Sequence, residues 1–128
     1  MIRKILIIGL LCAYIDITEV CAFNLPIDIV KALENRDAKS VSKYFNSSIE
    51  LNFTESQGIY GKAQAEQILK NFFDSNCSEK VTYTHLHTLP KDNAQFYIGE
   101  LNSGKGLYRV YIHMKDRYIH QMRIESND

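Results

Sequence analysis

From Val81 to the end of the chain apolar residues recur at every second position, whereas before that point they recur at helical spacing. This change of period constrains the fold more than any other feature. A period of two marks half-buried strands and a period of 3.6 marks amphipathic helices, so the pattern predicts helices first and a strand meander last. Strands are expected near 80–89, 94–101, 107–114 and 118–125. The segments between them, Pro90-Lys91-Asp92-Asn93, Asn102-Ser103-Gly104-Lys105-Gly106 and Lys115-Asp116-Arg117, are rich in turn formers.

Upstream, Pro26 presets the first helical turn, and Ile27, Val30 and Leu33 follow at helical spacing. Asn35-Arg36 breaks this helix. Asp37 can cap a second short one with Val41, Tyr44 and Phe45 on its apolar side, ended by Asn46-Ser47-Ser48. Ile49, Leu51 and Phe53 alternate with polar residues as a half-buried strand, and Gly58-Ile59-Tyr60-Gly61 reads as a second, shorter one. The clearest helix carries Ala65, Ile68, Leu69, Phe72 and Phe73 on one face, with Lys62, Gln64, Glu66, Gln67 and Lys70 off it. The expected class is α+β, with N-terminal helices packed on one face of a curved antiparallel sheet.

The first residues belong to a different pattern. Arg3 and Lys4 precede an apolar run from Ile5 to Leu11, and Val20-Cys21-Ala22 offers a small-residue cleavage site, so residues 1–22 read as a secretory signal. The run falls short of the ~20 apolar residues of a membrane span. Residues 23–128 are then expected as one exported domain, periplasmic or secreted, with no integral membrane segment after cleavage. Basic and acidic side chains balance at 15 each, so no charge excess exists to grip nucleic acid. Cys12 and Cys21 lie in the signal, which leaves Cys77 with no disulfide partner; neither signal cysteine has the upstream pattern of a lipidation site. Asn46, Asn52 and Asn76 each open a formal glycosylation acceptor, meaningful only in a eukaryotic secretory pathway. Gly104-Lys105 lacks the spacing and flanking elements of a phosphate loop and reads as a hairpin.

The order of elements, Gly58-Ile59-Tyr60-Gly61-Lys62-Ala63-Gln64-Ala65 leading a helix to Phe72-Phe73, the Tyr97-Ile98-Gly99 strand, Gly106-Leu107-Tyr108-Arg109-Val110-Tyr111, and the closing Gln121-Met122-Arg123-Ile124-Glu125 resemble domain-of-unknown-function family 4783. The resemblance covers nearly all of residues 23–128. It implies a small exported protein with a nuclear-transport-factor-2-like, cone-shaped fold, and it carries over no catalytic residue. It further implies a pocket between sheet and helices and dimerisation through the outer sheet face, both common in the wider superfamily.

Pairing Leu89 with Ala94, Leu101 with Leu107, and Met114 with Tyr118 gives an estimate of the faces. An inner face would then hold Val81, Tyr83, His85, His87, Leu89, Ala94, Phe96, Ile98, Glu100, Tyr108, Val110, Ile112, Met114, Tyr118, His120, Met122 and Ile124. An outer face would hold Thr82, Thr84, Leu86, Gln95, Tyr97, Gly99, Arg109, Tyr111, His113, Gln121 and Arg123; one extra residue in any turn would swap the assignments beyond it. His85 and His87, about 6.5–7 Å apart along one strand face, could serve a metal only if a third ligand converged. Glu100, flanked by Tyr83 and Tyr108, is the candidate general base of an inner pocket, where desolvation would raise its pKa. Tyr97, Arg109, Tyr111, Gln121 and Arg123 are the candidate contact residues of a homodimer.

Three classes follow. The leading one is a non-enzymatic exported module that binds a small apolar or amphiphilic ligand or a protein partner. The second is a cofactor-independent isomerase, dehydratase or hydrolase, with Glu100 as base and Tyr83, Tyr108 or His85 as proton donors. The third is a His85/His87 metal binder. The pattern calls for no cofactor.

Overall fold

The computed structural model describes residues 24–77 and 80–127; the expected signal lies outside them. Helix α1, Ile27–Glu34, starts on Pro26, whose carbonyl accepts from the N–H groups of Ile29 and Val30 at 3.0 and 3.1 Å. Its buried stripe is Ile29, Ala32 and Leu33, while Ile27 is 62% exposed, so the stripe is rotated from the expected Ile27-Val30-Leu33 phase. Arg36 turns the chain with φ 57, and Asp37 caps α2, Ala38–Ser42, by accepting from the Ser40 N–H at 3.1 Å and the Ser40 hydroxyl at 2.6 Å. Strand β1, Phe45–Asn52, begins at once, so Asn46-Ser47-Ser48 extends a strand instead of ending a helix. Pairing is the reason: Ile119 donates to the Tyr44 carbonyl, and Phe45 aligns with Ile119.

Strand β2, Gln57–Gly61, runs directly into α3, Lys62–Asn76, which buries Ala65, Leu69 and Phe73. Strands β3 (Thr82–Lys91), β4 (Ala94–Asn102), β5 (Leu107–Lys115) and β6 (Tyr118–Ser126) form the expected meander. The sheet order is β2-β1-β6-β5-β4-β3, with β1 parallel to β6 and every other pair antiparallel. The sheet is curved and unclosed, an α+β cone. Register shifts at 85–87 in β3, at 113–114 against β6, and at 45–50 in β1 supply local bends. The core between helices and concave face includes Ile29, Leu33, Phe45, Leu51, Leu69, Phe73, Leu101, Ile112 and Met122, each at most 1% exposed.

The turns correct the expected faces. Asn102 pairs with Leu107, one residue away from the expected Leu101–Leu107 pair, because the loop Ser103–Gly106 closes on the buried Ser103 hydroxyl and the Ser103 N–H to Gly106 carbonyl bond. That one-residue change inverts β4. Tyr97, Gly99 and Leu101 face the core, whereas Phe96, Ile98 and Glu100 face outward beside His113, Tyr111 and Arg109. In β6, Lys115 pairs with Tyr118 across a two-residue turn in which Asp116 and Arg117 both have positive φ, the signature of type I′. Ile119 therefore takes the core position and Tyr118 is 48% exposed, while the register shift beside His120 returns Met122 and Ile124 to the core. In β3 the shift after His85 leaves Leu89 at 54% exposure on the convex side.

Candidate functional site

Tyr83 and Tyr108 share one row of the concave face, as the pattern predicts, but they flank Leu101 where Glu100 was expected. Glu100 does not join them. It stands on the convex face opposite Arg109, with its Oε1 3.5 Å from the guanidinium, and it lines none of the three cavities described below. An inner-pocket base at Glu100 has no geometry here, because the β4–β5 loop sets β4 the other way up. The His85/His87 pair is likewise divided. The bulge aligns His85 with Gly99 on the concave side and His87 with Ile98 on the convex side, so the two rings cannot converge on one ion. His85 Nε2 instead lies 3.1 Å from the Thr88 hydroxyl.

The expected contact residues Arg109, Tyr111, Gln121 and Arg123 do share the convex face, and Tyr97 does not: it is 4% exposed in the core, with its hydroxyl donating to Gln95 Oε1. The convex face carries instead Phe96 stacked on His113, with centroids 4.3 Å apart and planes 3° from parallel, and Arg123 over the Tyr111 ring at 5.5 Å. Burial holds the His113 imidazole below its ordinary pKa, and the nearby His120 and Lys115 add to the effect.

The cavities on the described residues include three of note. One of about 540 Å³ lies at the hairpin tips and is lined by Asp92, Lys115, Asp116 and Arg117 among others; one of about 340 Å³ is a polar hollow beside α1 and α2. The third, about 300 Å³ and the most enclosed of these three, lies between the C-terminal half of α3, the β1–β2 turn and the start of β5. Its walls are Phe53, Ile68, Phe72 and Tyr108, and its rim is Thr54, Glu55, Ser56, Asn71, Ser75, Asn76 and Ser126.

Local structure explains these walls. Phe72 and Phe73 are adjacent on α3 and so point about 100° apart; Phe73 is 1% exposed in the core, which leaves Phe72 to face the cavity. Phe53 directly follows β1 and closes a tight turn through reciprocal backbone bonds with Ser56, which holds Glu55 at the mouth. The Phe53 and Phe72 rings are 5.6 Å apart at 56°, and Phe72 and Tyr108 are 5.2 Å apart at 82°. The Tyr108 hydroxyl donates to Asn76 Oδ1 at 3.3 Å, and Asn76 Nδ2 donates to the Phe72 carbonyl at 3.0 Å, so the polar group on the floor is held by its neighbours. Of the candidate site residues named from the sequence, only Tyr108 lines this cavity; Phe53, Glu55 and Asn76 were not among those candidates. The adjacent phenylalanines were the available signal, since one helix face cannot bury both.

Residues 27–125 match the family model Domain of unknown function (DUF4783). The chain belongs to the DUF4783 family. Solved DUF4783 proteins from Bacteroides uniformis and Bacteroides ovatus are each 25% identical to it. The first aligns over 82% of this chain and 99% of its own, with a TM-score of 0.71, and the second over 81% and 96%, with a TM-score of 0.72. An NTF2-like protein of unknown function from Cytophaga hutchinsonii, 13% identical over 79% of this chain and 85% of its own, shares the fold at a TM-score of 0.53. No curated protein matches the sequence. As a DUF4783 member with an NTF2-like fold, the chain has the cone that the family resemblance implied, and Phe53, Phe72 and Tyr108 all fall within the matched residues.

Proposed function

We propose that this DUF4783 protein is an exported module that binds a small amphiphilic ligand in the cavity walled by Phe53, Phe72 and Tyr108. The observation that carries the reading is that Phe53, Phe72 and Tyr108 line one cavity together with seven polar residues. Small-molecule sites are concave and combine apolar walls with polar groups that orient the ligand, and about 300 Å³ is at the lower end of their usual size range. The basic, apolar and small-residue pattern of residues 1–22 supports export.

The neutral fluorescent probe N-phenyl-1-naphthylamine tests the cavity. Saturable one-to-one enhancement is expected with the full chain. Ser75 is an exposed rim residue, so Ser75→Trp should obstruct the mouth and weaken probe binding at least about tenfold with an unchanged melting temperature. Lys70→Trp, at an exposed α3 position outside the cavity lining, serves as the control. Equal probe affinity in the parent and Ser75→Trp would remove the cavity as the site.

A second reading concerns the convex face. Its half-buried Phe96, Ile98, Tyr111 and His113 lie among side chains that pair within the chain, Glu100 with Arg109 and Arg123 with Glu125. Such a surface suits a second copy of the same chain, because its arginines are already paired with carboxylates around an apolar centre.

A further inference from the structure

We infer that the Phe53–Phe72–Tyr108 cavity selects an organic cation, a quaternary or N-methylated ammonium group carried on a small apolar body. The inference rests on the proposed cavity function and names its ligand chemistry.

Charge is the first argument. Among the described residues, Glu55 is the only carboxylate lining the cavity, and no described lysine, arginine or histidine lines it. An anionic ligand would meet a carboxylate with no countercharge, and a cationic one would meet its complement.

Ring geometry is the second. Phe72 packs tilted against Phe53 at 56° and edge to face with Tyr108 at 82°, so the three rings form one continuous aromatic surface along the cavity. Aromatic faces carry negative quadrupole density, and what this packing leaves open to the cavity attracts a cation that has shed part of its hydration.

Hydrogen bonding is the third. Asn76 spends one amide N–H on the Phe72 carbonyl, and its oxygen accepts from the Tyr108 hydroxyl. A methylated ammonium asks for few or no directed acceptors, so a cavity in which the Asn76–Tyr108 pair is committed costs it little. A primary ammonium would arrive with three donors to satisfy.

The test compares choline with its uncharged carbon isostere, 3,3-dimethylbutan-1-ol, by calorimetry or chemical-shift titration on the full chain. Choline should bind about tenfold more tightly, the size of effect expected when aromatic faces and one carboxylate act together. Two variants then separate the causes. Glu55→Gln, at an exposed turn position where folding is not at stake, should weaken choline several-fold and leave the isostere unchanged. Phe72→Leu keeps an apolar wall and removes the ring, and should do the same. Added salt should weaken choline more than the isostere. Equal affinity of the two probes in the parent chain, or an isostere loss equal to the choline loss in both variants, overturns the cation selectivity while leaving the cavity as a binding site. Absence of binding by choline, by the isostere and by N-phenyl-1-naphthylamine overturns the selectivity and the cavity reading together.

Discussion

Gly99 and Tyr83 show how one residue fixes another across a strand pair. A Cβ at Gly99 would lie 2.4 Å from the Tyr83 ring, so the ring occupies the space that any other residue at 99 would fill. Burial there, with Tyr97 nearby, pushes the Tyr83 phenol up to about 12. Gly99→Ala must displace the ring toward solvent. It should destabilise the fold by about 1–3 kcal/mol, the usual cost of overpacking, and lower the Tyr83 pKa toward its ordinary value of 10.0. Thermal melts and ultraviolet titration of tyrosinate check both; an unchanged titration would show that the ring had not moved. The sign of the pH dependence follows from the raised pKa. The unfolded chain loses the phenolic proton first, so this contribution is intact below pH 10 and is lost as pH rises through about 12. None of this was legible from sequence, which gave Tyr83 as an inner-face residue but placed Gly99 on the opposite face. Glu100 was misplaced with it, since the two share a strand and its orientation depends on how many residues the Ser103–Gly106 loop contains.

At the scale of elements, periodicity located all four meander strands to within two residues at either end, because alternation is a property of each strand alone. Facing was not legible, because it is a property of turns and bulges. The loop at Ser103 and the shift after His85 each change the pairing by one residue, and one residue is the whole difference between core and solvent. The helix cap was legible, because Asp37 acts on its own neighbours. Its carboxylate accepts from both the N–H and the hydroxyl of Ser40, which, with Lys43 nearby, holds its pKa below the ordinary value. Asp37→Ala should cost about 1 kcal/mol at neutral pH and Asp37→Ser much less, since serine also caps. A depressed carboxyl pKa contributes stability that is present above its unfolded value of 3.8 and is lost as pH falls through the folded one. The difference between parent and Asp37→Ala should therefore shrink in acid, and denaturant melts at neutral and acidic pH will show it; a gap constant with pH would mean that the capping bonds are not the source. The candidate site was hard to see for the same reason that faces were. Its walls come from α3, the β1–β2 turn and β5, which only tertiary packing brings together.

For the whole molecule, curvature divides labour between the two sides of the sheet. The concave side is consumed by the core and by the Phe72 cavity, and the convex side is left with rows of half-buried side chains: Ile98 beside Tyr111 and Arg123, and Phe96 beside His113 and Gln121. The inversion of β4 makes this side more apolar than the sequence suggested, because it trades Tyr97 and Gly99 for Phe96 and Ile98. It also strengthens the case for self-association, since an interface needs a desolvated apolar centre with polar groups around it. Ile98 sits at that centre, between Tyr111 in β5 and His87 in β3. If two copies meet across it, Ile98→Lys would bury two ammonium groups against each other near the dyad. A hot-spot loss of 2 kcal/mol or more corresponds to a dimer dissociation constant raised about thirtyfold. Light scattering on the full chain should therefore report about twice the 14.8 kDa protomer mass for the parent and a single protomer for Ile98→Lys at the same concentration. The half-buried convex position lies outside the core, so the substituted monomer should keep its fold, and an unchanged far-ultraviolet spectrum and melting midpoint would separate lost association from lost structure. A parent chain that stays monomeric at high concentration removes the convex face as a homodimer interface, and it leaves the ligand cavity, on the other side of the sheet, unaffected.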